Sequence, residues 1–258
     1  MLVEYENCPK AFYYKSWLGL KLPQSREHLE FGSAIHLAID NIYEQYDKKD
    51  KWKNAEISIP KKIFKSNFKL EHFDGNTFTE EERLSKFNEM LADGLEIIEQ
   101  FWAEKERLMI EKEVNPTKFE IPIKTEIQHP DTGEPVELPL SCRIDALTDG
   151  HKIIEFKTSS KEYVEEETKR SLQALSYATV HYQLHQIIPI VDYIVMIKKR
   201  KKDKIQHFSI SYNKSDLISY VERVNVIIEK IKNREFSRLS KNHPFFCDCV
   251  KFDELFTV

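Results

Sequence analysis

The sequence predicts an α/β fold: a central mixed sheet flanked by helices, with additional helices placed before it. Three patterns predict this. Between residues 79 and 111, Leu84, Phe87, Leu91, Leu95, Ile98 and Trp102 recur at helical spacing. Three strand-like runs follow closely, and those around Ile144-Asp145-Ala146 and Ile153-Ile154-Glu155-Phe156 are apolar enough to read as buried sheet. Another helix, two more strands and a closing helix complete an αβββαβ order. At 258 residues, 41% hydrophobic and 12% aromatic, the chain has the makeup of one globular domain with a sizeable core. It divides into a helical part over about 1–112, a sheet-bearing core over about 113–235 and a tail over 236–258.

Taken in order, the first helix is expected over 2–16 and the second from Gly32 to Asp47. Residues 48–79 are polar and read as an irregular insertion. The long helix runs from Thr79 to Glu111, and strands are expected over 118–127, 136–147 and 152–158. The turn-forming run from His129 to Pro135 separates the first two strands. A helix from Val164 to His185, strands over 190–198 and 205–212, and a helix from Ser215 to Arg234 follow.

Chemistry concentrates in the second and third strands. Alternation puts Glu155 and Lys157 on one face while Phe156 points away. The Thr148-Asp149-Gly150 turn folds the third strand back, so that Asp145 falls roughly opposite Glu155. Asp145-x₉-Glu155-x-Lys157 can be solvated surface charge. Among apolar neighbours, however, carboxylates are costly unless paired or bound to metal. Two carboxylates and an ammonium at one point suit Mg²⁺ or Mn²⁺ and phosphodiester hydrolysis.

Together with Phe31-Gly32-Ser33-Ala34-Ile35-His36, Gln173-Ala174-Leu175-Ser176-Tyr177 and Cys8-Pro9, these motifs occur in an order that resembles the PD-(D/E)XK nuclease superfamily. The resemblance is to its RecB-like branch, which includes CRISPR-associated and phage-encoded exonucleases and the nuclease domains of recombination helicases. It spans residues 5–250 and implies a restriction-endonuclease-like core. It also implies roles. Asp145 and Glu155 would be metal-binding acids, with the Phe156 carbonyl and His36 completing the shell. Lys157 would position the attacking water, while Gln173 and Tyr177 would support the site and contact DNA. Glu120 is the candidate for the early acid of the motif set. Each has a plainer reading: His36 and Tyr177 as core packing, Gln173 and Glu120 as solvated residues.

The implied activity is that of a Mg²⁺- or Mn²⁺-dependent deoxyribonuclease, an exonuclease acting on DNA ends or single strands in recombination, repair or CRISPR and phage DNA processing. The alternative is a DNA-end-binding subunit with little activity alone, working with helicase, integrase or recombination proteins. A net charge of −4 leaves no whole-molecule attraction to nucleic acid, so DNA must be met by local patches. One such patch is Lys198-Lys199-Arg200-Lys201-Lys202, which reads either as a solvated hairpin tip or as a grip on phosphates. Tyr13, Tyr14 and Trp17 offer base-stacking or packing. No stretch is apolar and long enough to span a membrane and no signal pattern opens the chain, so a cytoplasmic address is expected.

The cysteines depart from the family pattern. Many members hold an iron–sulfur cluster on one early and three late cysteines. Here Cys8 fits the first position, but the tail offers only Cys247 and Cys249, and Cys142 precedes Arg143 in the second strand. Three thiolates fall short of the four a cubane takes, so reduced structural cysteines are expected. A zinc site from Cys8, Cys247, Cys249 and His243 is the other option. Relatives also carry more residues before Cys-Pro, which suggests a trimmed or alternative start at Met1.

Overall fold

The computed structural model describes residues 2–22, 26–46, 51–73, 78–137, 139–198, 205–238 and 247–256. Their strands β1 (Lys118–Thr125), β2 (Leu140–Leu147), β3 (Ile153–Ser159), β4 (Ile190–Ile197) and β5 (Ile205–Ser211) form one mixed sheet in the order β1-β2-β3-β4-β5. Neighbours pair antiparallel except β3 and β4, which are parallel. A parallel pair needs a crossover. Helices α6 (Glu165–Lys169) and α7 (Leu172–His185) supply it.

Helices cover both faces. On one, α7 and α8 (Lys214–Lys232) bury Ile153, Tyr193 and Val195. On the other, α3 (Glu27–Glu44), α4 (Ser58–Asn67) and α5 (Glu80–Ile110) bury Ile154, Phe156 and Ile194. Covered on both sides, β4 is buried from Val191 to Ile197. Helix α5 starts where a capping box stops the chain from fraying. Thr79 Oγ1 accepts the Glu82 N–H and the Glu82 carboxylate accepts the Thr79 N–H. Asn213 and Asp216 do the same for α8.

The structure corrects the sequence reading in four places. The expected first helix is broken into α1 (Leu2–Asn7), α2 (Pro9–Phe12) and a π-turn at Tyr13–Trp17. Pro9 has no N–H to donate and drives Cys8 to an extended φ of −164°. The second helix begins at Glu27, one turn before Gly32. The polar insertion is partly ordered: α4 and a 3₁₀ turn at Leu70–Phe73 occupy it. Pro60, Phe64 and Phe68 fall at i, i+4 and i+8 and are buried, a face hidden in the sequence by interleaved lysines. The expected 164–185 helix is interrupted at Arg170 and Ser171. Two freed carbonyls there find donors, Tyr212 Oη to Lys169 and an Arg223 guanidinium N–H to Arg170. The tail adds α9 (Asp248–Leu255), which packs on α2.

Gly94 in the middle of α5 shows packing overriding helix propensity. A Cβ there would strike the ring of Phe64, which is fully buried between Phe31 and Phe68. Propensity alone favours Gly94→Ala by about 1 kcal/mol. The expected result is instead a loss of about 1–3 kcal/mol, as for other overpacked cores, read from denaturant unfolding. A stabilised variant would mean that the Phe64 ring moves freely.

Candidate active site

The ladder between β2 and β3 is short. Ala146 pairs with Ile154 and Leu147 with Ile153, and beyond them the strands part. The next pair in register would be Asp145 and Glu155. Instead of a ladder bond, the Phe156 N–H donates to Asp145 Oδ2 at 2.9 Å. The face alternation of β1 and β2 also breaks here. Phe119 and Ala146 pack into the α3–α5 layer, whereas Ile121 and Ile144 pack into the α7–α8 layer. Between them Glu120 takes a left-handed φ of 49°, a conformation uncommon for a residue with a side chain. Glu120 and Asp145 are thereby released from the sheet's alternation. They meet His36 of α3, and ligand atoms of the three lie within 4.8 Å of one another.

Glu155 belongs to a second, deeper set. Only 1% exposed, its Oε1 is ion-paired with Lys157 and accepts from Gln173 Nε2 at 2.8 Å. The same Gln173 amide accepts from Lys157 Nζ through Oε1 at 2.8 Å and reaches Tyr177 Oη at 2.7 Å. Tyr177 Oη in turn donates to the Arg143 carbonyl at 2.8 Å. The interruption before Leu172 places Gln173 in the first turn of α7, at the open end of the β3 site. One turn of helix then places Tyr177 beneath it.

Electrostatics separates the two sets. Burial pushes the Glu155 carboxyl up to about 7, with Asp145 adding to the rise and Lys157 opposing it. Burial pulls the Lys157 ammonium down, but Glu155 and Asp145 outweigh this and hold it above its ordinary value. Burial lowers His36 against the pull of Asp145, leaving a neutral imidazole with a lone pair. Asp40, one turn after His36, is pushed up to about 8 by burial and by Glu120, Asp145 and Glu44. Such carboxylate crowding is what a bound cation relieves. Glu155 Oε2 is buried with no hydrogen-bond partner. Hard oxygens, a neutral imidazole and an orphaned carboxylate oxygen fit a divalent cation such as Mg²⁺ or Mn²⁺.

A cavity of about 1260 Å³ connects these groups apart from Asp40, with Arg143 and Thr158 on its wall. Asp145, Glu155, Lys157, Gln173, Tyr177, His36 and Glu120 are thus brought to one place. Sequence reasoning missed Asp40, whose signal was its i+4 spacing from His36 on the same helix. Lys199, Arg200, Lys201 and His243 lie outside the described residues. Each N-terminal aromatic makes a ring contact, although Trp17 stays exposed. Tyr13 stacks on Phe236 with centroids 5.1 Å apart, Tyr14 stacks on Phe252 at 5.0 Å, and Trp17 rests on Phe236 at 5.2 Å.

The tail cysteines return to the start of the chain. Sulfurs of Cys8, Cys247 and Cys249 lie within 4.8 Å of one another, and Cys8 Sγ accepts the Ala11 N–H at 3.3 Å. Lys10 and Tyr14 clamp Asp253 of α9 from the other side, at 2.7 and 2.6 Å. Cys142 is elsewhere, on the wall of the large cavity. Among the described residues no fourth cysteine or histidine joins the three, which do not make the set of four that a cubane takes.

The family model of the PD-(D/E)XK nuclease superfamily matches residues 1–250. No curated protein matches the chain. One similar solved structure is a crystal structure of a "Putative exonuclease" from Eubacterium rectale. It is 11% identical, with a TM-score of 0.41, over 91% of this chain and 94% of that one.

Two measurements bear on the cation site. Mn²⁺ at about 100 times its Kd is expected to add about 2.7 kcal/mol to unfolding, read by thermal shift. Asp145→Asn keeps an oxygen for the Phe156 N–H, so it is expected to fold normally and lose that gain. An equal Mn²⁺ shift in both proteins would remove Asp145 from the site.

Proposed function

The chain belongs to the PD-(D/E)XK nuclease superfamily, and from that premise we propose that it is a metal-dependent deoxyribonuclease of the RecB-like branch, an exonuclease working on DNA ends or single strands. The observation that carries this reading is the bridge from Gln173 to both Glu155 and Lys157, beside the His36, Glu120 and Asp145 trio. His36 and Gln173 come from the two helical motifs that accompany the acid-x-Lys strand in that branch, and both face one cavity. The cavity, about 1260 Å³, has room for a flexible strand or a frayed end.

His36, Asp145, Glu155 and the Phe156 carbonyl, with Glu120, would hold Mg²⁺ or Mn²⁺. Such an ion supplies Lewis-acid polarisation of the phosphate and a nucleophile at neutral pH. The remaining work falls to this chain's own groups. Lys157, kept protonated by Glu155, faces the scissile phosphate, orients the incoming water and offsets charge growing on the phosphoryl oxygens. Gln173 fixes both Lys157 and Glu155, so neither spends the reaction searching for its rotamer. Tyr177 holds Gln173 through its hydroxyl, and its donation to the Arg143 carbonyl ties that pair to β2. Arg143 lines the cavity, is ion-paired with Glu120 at 2.8 Å and is mostly exposed, so its guanidinium can also meet the DNA backbone.

End-labelled single- and double-stranded DNA incubated with Mg²⁺ or Mn²⁺ tests the reading. Cleavage is expected, abolished by EDTA and reduced about 10²–10³-fold in Lys157→Ala with the fold retained by circular dichroism. Full activity of that variant would sink the assignment of Lys157. Intact DNA that nonetheless binds would point to an end-binding subunit. A second expectation concerns support rather than chemistry: Tyr177→Phe should lower the rate about tenfold while leaving Mn²⁺ binding unchanged.

A further inference from the structure

Away from this cavity, at the opposite end of β3, three histidines converge. His151 follows the Thr148–Gly150 turn and takes a left-handed φ of 60°. His181 and His185 lie one turn apart at the end of α7. Ring centroids are 5.0 Å apart for His151 and His181, 5.3 Å for His151 and His185, and 4.5 Å for His181 and His185. None lines the large cavity.

We propose that His151, His181 and His185 form a second metal site, one for a borderline transition-metal cation of the zinc class. Helical histidines at i and i+4 present both rings to one ion, and a third ligand from another element completes a three-imidazole face. His181 is already oriented for this. Its Nδ1 lies 2.9 Å from the Ile187 carbonyl, which can only accept, so Nδ1 carries the proton and Nε2 offers its lone pair. A backbone carbonyl on the far nitrogen is the usual outer partner of a metal-bound histidine. His181 is 2% exposed, and its Nε2 stands 3.1 Å from His151 Nδ1. Tetrahedral zinc bonds of about 2.0–2.1 Å separate two ligand nitrogens by about 3.3 Å, close to that spacing.

His151 donates its Nδ1 proton to His181 in the metal-free pair. On binding it shifts that proton to Nε2, so no proton is lost. The ligand atoms of the three do not all lie within 4.8 Å of one another, and the exposed His185 would close the set by rotating its side chain. One further feature favours a cation there, the carbonyl end of α7. Beside His151 a cavity of about 460 Å³, lined also by Asp149 and Ile187, gives a path for the ion and for a water in the fourth position. Imidazole donors without thiolate or carboxylate separate this site in kind from the oxygen-rich one at Asp145. Occupied, it would staple the β2–β3 turn to the end of the crossover helix.

The test is Zn²⁺ calorimetry on the full Asp145→Asn chain, which silences the oxygen-rich site, followed by Co²⁺ substitution. The expected result is one binding event per chain whose Co²⁺ spectrum shows tetrahedral d–d bands. Sulfur charge-transfer absorption with no separate nitrogen-ligated bands would place the ion on Cys8, Cys247 and Cys249 and overturn the proposal. Adding His151→Gln or His185→Gln, both outside the core, should weaken that event by at least the 10- to 100-fold that follows loss of an outer partner. Adding His181→Gln should do the same if it folds. Absence of Zn²⁺ binding, or binding unchanged by His151→Gln and His185→Gln, would overturn the proposal.

Discussion

Glu155 is a carboxylate at 1% exposure in a sheet packed on both faces. Left alone it would cost several kcal/mol, and the surroundings are arranged around that cost. Lys157 lies two residues on along the same strand and on the same face, so the partner charge comes from β3 itself. Gln173 then bridges both ions with one amide, accepting from the ammonium and donating to one oxygen of the carboxylate. Truncating Gln173 would leave the buried Glu155 carboxylate with Lys157 alone, the situation in which removing a partner is most damaging.

That bridge depends in turn on topology. Because β3 and β4 are parallel, the chain must leave the end of β3, cross the sheet and return, and the crossover passes over the face that carries Glu155 and Lys157. Helix α7 therefore starts beside the site. The break at Arg170 and Ser171 sets its rotation, so that Gln173 and Tyr177 turn inward while Leu172, Ala174 and Leu175 join the core. On the other face Phe156 anchors the helical layer. Its ring meets His36, Tyr43 and Phe101 at centroid distances of 6.0, 6.4 and 6.2 Å. One residue thus fixes α3 against the sheet and sets the reach of His36 towards Asp145.

The parting of β2 and β3 is a third element of the same design. A continued ladder would bury Asp145 among paired backbone groups. Two pairs followed by divergence leave its carboxylate facing the cavity, with the Phe156 N–H as the tether. The left-handed Glu120 in the neighbouring strand repeats the effect, taking a second carboxylate out of the alternation. Backbone irregularity on both strands is concentrated where acidic groups are crowded, and that crowding adds to the burial that pushes Asp40 and Glu155 up.

By itself the sequence determined the class of fold and that Glu155 and Lys157 share one face of a strand, with Asp145 near them on the strand before. Where the Asp145 carboxylate goes was decided by the parting of β2 and β3. Helical spacing likewise determined that Gln173 and Tyr177 share a face and that α5 is long and amphipathic. Tertiary structure decided the rest. The face formed by Pro60, Phe64 and Phe68 is masked by lysines until packing shows what it covers. Glu120 reads as solvent-facing by alternation, and only a left-handed backbone turns it towards His36 and Asp145. Cys8 meets Cys247 and Cys249, and His151 meets His181 and His185, across separations that no periodicity spans. Local patterns encode neighbours along one element. Contacts between elements are set by which apolar faces must be buried together, and that is a property of the whole chain.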